Sequence, residues 1–335
     1  MANEPRTIAI AGTGSVGSYV GGCLALAGRD VRFLARPAMA AALRRDGLRV
    51  TDLEGRNRHL ASVNATDDAA TALSGAKVAL ICVKSGATGE MAQLVARHAP
   101  ADCVIVSLQN GTGNVARIEE LAGGRPVHAG MVPFNIALDL DPPSIHRGTE
   151  GGLVIDEKVG DIADLLRCEG LSVETRSDMD AVLWGKLLLN LNNALNALSG
   201  LPLAAELADR RWRRLLATQM DEALAAMAAN RIRPAKLAGV APTLLPHILR
   251  LPDWLFTRIA RKMLAIDPLA RSSTWDDLTL GRPTEIDEFQ GAIARLAAKA
   301  GTPAPLTGRI IAAIRRAEAE GSGPPSLDPA ELSRS

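Results

Sequence analysis

The most constraining feature of the chain lies near its start. Thr7-Ile-Ala-Ile-Ala11 reads as a short buried strand that runs into Gly12-Thr13-Gly14-Ser15-Val16-Gly17. Ser18 to Ala27 then reads as an apolar helix rich in small residues, which Gly28 ends at C′. A second strand, Val31 to Arg36, follows. A lone G-x-G-x-x-G says little, but one set between strand and helix in a unit of roughly 30 residues is the pattern of a dinucleotide loop. Each glycine then has its own task. Gly12 permits the tight turn, Gly14 lets the backbone approach a pyrophosphate, and Gly17 lets helix and strand pack closely. The pyrophosphate would rest on the helix N-terminus and its N–H groups, with Thr13, Ser15 and Val16 completing the cofactor loop. A glycine-rich turn that holds no ligand is the alternative.

The end of the second strand selects between cofactors. A site for NAD places Asp or Glu there, to hold the ribose 2′-hydroxyl. This chain has Ala35 and Arg36, and its nearest acid, Asp30, precedes the strand. A carboxylate would repel a 2′-phosphate, whereas a guanidinium grips it bidentately. Arg36 therefore favours NADPH, the other reading being a solvated charge at a strand end.

More βα units are expected downstream. Gly47 to Thr51 and Arg58 to Val63 can form a hairpin around Glu54-Gly55. Lys77 to Val83 is a continuous apolar run, as a central parallel strand buried on both faces requires. It ends at Lys84. Cys103 to Leu108 is a second such run and stops at Gln109-Asn110-Gly111. Ligands of an open parallel sheet bind at the carboxyl ends of its strands, which makes Lys84 and Asn110 candidates, although Asn-Gly is also a common turn pair. Val127 to Val132 and Gly152 to Ile155 read as edge or antiparallel strands completing this domain.

Near Ser177-Asp178 the pattern changes to long apolar helices. One helix is expected from Met179 to Leu198, capped by Ser177 or Asp178 and broken by Ser199-Gly200. On it Lys186, Asn190 and Asn193 stand at i, i+4 and i+7 and share one face. Four asparagines fall between Asn190 and Asn196, and each buried amide needs partners. A desolvated lysine is costlier still, and its pKa falls. Either this face is a site, or Lys186 snorkels to solvent and the asparagines knit helices together. Arg210 to Arg214 reads as the solvated start of an amphipathic helix, and Pro234 to Pro252 as short helices with irregular joints. Thr284-Glu285-Ile286-Asp287 is expected to open a further helix, where Glu285 alone would fit simple dipole complementarity. The expected architecture is a Rossmann-type doubly wound α/β domain over 1–177, an all-α substrate and catalytic domain over 178–320, and a flexible tail over 321–335.

Composition narrows the function. Lys plus Arg number 38 against 37 Asp plus Glu, and aromatics make up 3%, so neither a basic footprint nor stacking platforms point to nucleic acid. The five histidines show no ligand spacing, so no metal is expected. Four scattered cysteines suit a reducing cytosol. No apolar run approaches the ~18 residues of a membrane span, and the first residues lack the basic n-region of a signal peptide. The expectation is a cytoplasmic protein without membrane or nucleic-acid partners.

Taken together the motifs resemble the ketopantoate reductase (2-dehydropantoate 2-reductase) family. The glycine loop, Lys84, Gln109-Asn110-Gly111, Trp184-Gly185-Lys186 with Asn190, and Ser272-Ser273 ahead of Arg282-Pro-Thr-Glu285-Ile-Asp287 carry the resemblance, from about Thr7 to Ala319. It implies that Gly12, Gly14 and Gly17 cradle the NADPH pyrophosphate and that Arg36 meets the 2′-phosphate. Lys84 and Asn110 would border cofactor and substrate. Lys186 would protonate the carbonyl oxygen as hydride arrives, Glu285 would position the lysine or the substrate, and Asn190 and Ser273 would hold a small 2-keto acid. Asn193, on the same helix face, and Asp277 join the substrate side. The implied activity is reduction of 2-dehydropantoate to (R)-pantoate for pantothenate and coenzyme A synthesis. Where the family has Asn-Pro this chain has Ala194-Leu195, flanked by Asn193 and Asn196, and Met131 to Asn135 replaces a small, Thr-rich stretch. Two other readings stand beside it: the same reduction on another branched or bulky 2-keto acid, and a non-catalytic protein that senses NADPH. A homodimer is left open, because an apolar face on the helical domain can serve a partner copy or complete the core.

Overall fold

The computed structural model describes residues 6–236, 239–260 and 270–333, and the chain divides into two compact units that meet in sequence between Met179 and Asp180. The lack of a basic n-region concerns residues 1–5, outside those described.

Among its described residues the first unit holds twelve strands and six α-helices. Its strands are β1 (Ile8–Ala11), β2 (Val31–Leu34), β3 (Leu48–Asp52), β4 (Asn57–Leu60), β5 (Ala65–Thr66) and β6 (Val78–Ile81). After them come β7 (Val104–Ser107), β8 (Val127–Met131), β9 (Ile136–Leu140), β10 (Pro143–Arg147), β11 (Leu153–Asp156) and β12 (Val173–Arg176). The helices are α1 (Ser15–Leu26), α2 (Pro37–Asp46), α3 (Ala69–Leu73), α4 (Thr88–His98), α5 (Asn114–Leu121) and α6 (Ile162–Leu166).

Eight strands form one sheet in the order β12-β11-β8-β7-β6-β1-β2-β5. From β8 to β5 it is parallel throughout. The central strands β1 and β6 are buried at every position, which is why they read as unbroken apolar runs. From β1 the chain builds outward to β2 and β5, then crosses to β6 on the other side. The carboxyl ends of β1 and β6 thus form a topological switch point, where ligands of such sheets bind. The strand Val127–Met131, expected at an edge or antiparallel, is not at an edge: it lies between β7, to which it is parallel, and β11, to which it is antiparallel as expected. A second sheet, β4-β3-β10-β9, contains the expected hairpin and a strand, β10, recruited in parallel to β3 from far along the chain.

The second unit is helical: α7 (Met179–Asn190), α8 (Asn192–Ser199), α9 (Leu203–Ala208), α10 (Arg210–Ala229), α11 (Leu245–Leu249), α12 (Asp253–Ile259), α13 (Ser273–Thr279), α14 (Gln290–Ala300), α15 (Pro305–Glu320) and α16 (Pro329–Ser333). The long α10 packs on α11, α14 and α15, and its buried face carries Trp212, Leu216, Met220 and Met227. Between Pro234 and Pro252 the chain makes a 3-10 turn and α11, with residues 237–238 outside those described. Among the described residues no helix is long and apolar enough to cross a membrane.

Three of the expectations for this unit are corrected by the course of α7 to α10 and of the tail. The single helix over Met179 to Leu198 is two, α7 ending at Asn190 and α8 opening at Asn192 with Leu191 as its N-cap, and the buried Gln290 amide donates to the Leu191 carbonyl at this joint at 3.0 Å. Leu191 keeps helical angles (φ −57°, ψ −27°), and its N–H still reaches Leu187, so the helix continues in direction. Arg213 is not on a solvated face. Its guanidinium is buried and donates to the carbonyls of Leu207, Ala208, Leu249 and Leu251 and to Asp253, 4.2 Å from the Phe256 ring centre. The tail is not frayed up to Ser333, because its apolar residues return to the core. Leu327 donates its N–H to the Leu198 carbonyl at 2.8 Å, and Leu332 is buried on α16. Residues 334–335 lie outside those described.

Candidate active site

At the carboxyl ends of β2, β1, β6 and β7 the first unit gathers Arg36, the glycine loop, Lys84 and Asn110. Gly12 adopts φ +108°, and a Cβ there would lie 2.5 Å from Val83 Cγ1 and 2.8 Å from the Val83 nitrogen. A Cβ on Gly17 would lie 2.1 Å from the Gly12 oxygen, so only glycine lets α1 pass this close to β1. Gly14 differs: nothing lies within 4 Å of its Cβ position. It heads α1 in an extended conformation with no side chain capping the helix. The N–H groups of Ser15, Val16 and Gly17 therefore start the helix without intrahelical partners, beside open space. That cradle fits the phosphates of a dinucleotide. Thr13 is buried, and its hydroxyl donates to the Leu34 carbonyl at 2.9 Å, so its side chain ties the loop to β2 and leaves only its backbone for a ligand.

Arg36 is exposed just past β2 and is held by Pro37, which opens α2. Lys84 is exposed ahead of the turn Ser85–Ala87, and Asn110 is half-buried past β7. A buried polar network ties these two turns together. Gln109 Nε2 donates to the Val83 carbonyl and to Thr88 Oγ1, both at 2.8 Å. Thr88 donates to Asn114 Oδ1 at 2.9 Å, and Asn114 Nδ2 donates to the Asn110 carbonyl at 2.6 Å. Sequence reasoning passed over Thr88 and Asn114. Their only signal is that each opens a helix directly after a strand-end candidate.

The second unit carries the remaining candidates. Lys186 lies half-buried on α7, and burial pushes its ammonium pKa down to about 8. Asn190, one turn on, is buried. Asn193, on α8, donates from Nδ2 to Ser273 Oγ at 3.4 Å, so these two candidates meet across 80 residues. Ser272 caps α13: its Oγ accepts from the Trp275 N–H and donates to the Asn193 carbonyl. Asp277 follows Ser273 by one turn of α13 and is buried.

Glu285 is a correction, because no helix opens there. It sits half-buried in a bend, its carbonyl accepting from the N–H groups of Glu288 and Phe289, and α14 begins only at Gln290. Helix-dipole complementarity therefore does not account for it. Ala194 and Leu195 are buried in the apolar core of the unit. Asn196 is wholly buried there and bonded on both sides of its amide. Among the described residues no three His, Cys, Asp or Glu side chains converge as a metal site requires.

The comparisons agree with this division. The family model of ketopantoate reductase PanE/ApbA matches residues 8–159, and that of its C-terminal region matches 178–318. A 2-dehydropantoate 2-reductase of Mesorhizobium japonicum is 28% identical, over 93% of this chain and 98% of its own. One from Halobacterium salinarum is 26% identical, over 94% and 99%. A solved structure of a PanE/ApbA family ketopantoate reductase from Ralstonia eutropha JMP134 is similar with a TM-score of 0.79 and 28% identity, covering 94% of this chain and 99% of that one. Both regions match, in order and over nearly the full length, and the chain belongs to the ketopantoate reductase PanE/ApbA family of oxidoreductases.

Proposed function

We propose that this chain reduces 2-dehydropantoate to (R)-pantoate with NADPH, with Lys186 as the general acid. The observation that carries the reading is Lys186 itself, a half-buried cation whose pKa of about 8 suits proton donation at neutral pH, one helical turn from a buried amide at Asn190. When bound, the nicotinamide supplies the hydride. The carbonyl carbon that receives it leaves an alkoxide on the oxygen, and Lys186 Nζ would meet that charge with a proton. Asn190, Asn193 and Ser273 offer uncharged hydrogen-bonding groups for the carboxylate and hydroxyl of the substrate, with Asp277 in support. Glu285 would keep the lysine charged or orient the substrate. The Gly12 to Gly17 loop would hold the pyrophosphate, with Lys84 and Asn110 bordering nicotinamide and substrate.

Arg36 supports NADPH over NADH, since no acid follows β2 and the guanidinium is exposed where a 2′-phosphate would lie. Arg36→Ala should weaken NADPH by about 10–100-fold, the worth of one charge-assisted contact, and leave NADH nearly unchanged. Fluorescence titration with both cofactors checks this, and equal losses for the two would remove the assignment.

The reaction is tested by NADPH consumption with 2-dehydropantoate, against NADH and a panel of 2-keto acids. A second reading, the same reduction on another branched or bulky 2-keto acid, is favoured by Ala194, which is apolar and buried where the family has asparagine. Turnover of a panel member with none of 2-dehydropantoate would select it. NADPH binding with no turnover of any keto acid would leave a non-catalytic sensor.

A further inference from the structure

Glu206, on α9, is wholly buried, and its only side-chain partners among the described residues are two neutral amides. Its Oε2 accepts from Asn196 Nδ2 at 2.9 Å and from Asn192 Nδ2 at 3.3 Å, while Oε1 has no partner among the described residues. Burial pushes its pKa up to about 8. A carboxyl placed this way is costly to bury, and its contacts show what it does locally. An asparagine amide can turn over and exchange oxygen for nitrogen unless its neighbours distinguish the two. Glu206 Oε2 and the Leu201 carbonyl, both acceptors, hold the NH₂ end of Asn196. The oxygen end is thereby aimed at the Ser272 N–H, which donates to it at 2.9 Å. Ser272 in turn caps α13 and binds the Asn193 carbonyl, and the next residue, Ser273, accepts from Asn193 Nδ2.

We propose that Glu206 is a positioning residue for the keto acid: by fixing the orientation of Asn196 it holds the Ser272 turn that presents Ser273 and Asn193. This rests on the reading of Ser273 and Asn193 as substrate contacts. Glu206→Ala removes one of the two acceptors that hold the Asn196 NH₂ end and leaves the Leu201 carbonyl alone to do so, while Glu206→Gln keeps an acceptor oxygen for it.

The test combines kinetics with amide hydrogen exchange on the full chain. Glu206→Ala should raise KM for 2-dehydropantoate about tenfold, with kcat within about threefold and the NADPH Kd unchanged, as expected for one lost positioning bond. Exchange over residues 272–275 should quicken by about tenfold, the same bond read as protection. Glu206→Gln should restore both. If Glu206→Ala does not fold, Asn196→Ala, which leaves the carboxyl in place and removes the link, carries the same expectations. Parent-like KM and parent-like exchange in a folded variant would overturn the proposal, as would a uniform loss of stability that Glu206→Gln does not repair. Absence of keto-acid turnover in the parent chain would count against the functional reading instead, and the exchange result would still judge the link.

Discussion

Lys186→Ala is expected to lower kcat by about 10²–10⁴-fold with KM changed little, the usual effect of losing a general acid. The expectation comes from the proton that the developing alkoxide needs and from the position of Lys186, half-buried on α7. Its pH dependence has a definite sign. The acid must be protonated, so kcat should hold at low pH and fall as pH rises through about 8, where burial has brought the ammonium. Glu206 also titrates near 8. The profile is therefore repeated in Glu206→Gln, where the descending limb must persist.

Stability separates lost chemistry from lost folding. The folded pKa of Lys186 lies below the ordinary value of 10.5. The unfolded chain thus binds the extra proton between about 8 and 10.5, and stability rises with pH across that window. Below it the buried charge carries its full cost, so Lys186→Met should melt no lower than the parent at pH 7. Near-parent turnover in Lys186→Ala would remove the lysine from the reaction. A collapsed melting temperature would recast it as a structural residue.

Gly14→Ala and Gly17→Ala should fail in opposite ways although they lie three residues apart. Open space surrounds the Cβ position of Gly14, and its backbone angles (φ −86°, ψ −162°) suit any residue. The fold should accept alanine there with an unchanged melting temperature. The added methyl would stand between the bare helix start and the pyrophosphate, and losing two charge-assisted bonds corresponds to about 10²–10⁴-fold in NADPH affinity. At Gly17 the new Cβ would meet the Gly12 oxygen at 2.1 Å and Ile10 Cγ2 at 2.9 Å. Gly17→Ala should therefore cost at least the ~1–3 kcal/mol of an overpacked core, with cofactor affinity falling as a consequence. Calorimetry and cofactor titration on both variants decide it. A Gly14→Ala chain that binds NADPH as the parent does would contradict a phosphate site on this loop.

Much of this was legible in the residues because it is local. The glycine spacing, the apolar runs of β1 and β6, and the change to helical periodicity near Asp178 each express turn chemistry or burial within a window of a few residues. They were enough to place the α/β unit, the helical unit and the candidate residues at strand ends and on α7. Tertiary structure alone decided what depends on a distant partner. Arg213 belongs to a basic run that reads as solvated, and only the folded chain brings four carbonyls to it. The carbonyl at the α7–α8 joint, Leu191, is met by Gln290 from 99 residues away. The contact of Asn193 with Ser273 and the link from Glu206 to Ser272 join segments about as far apart. No local propensity encodes such pairings. A buried polar group must find its hydrogen-bond partner wherever the fold supplies one, and that partner is known only once the core has closed.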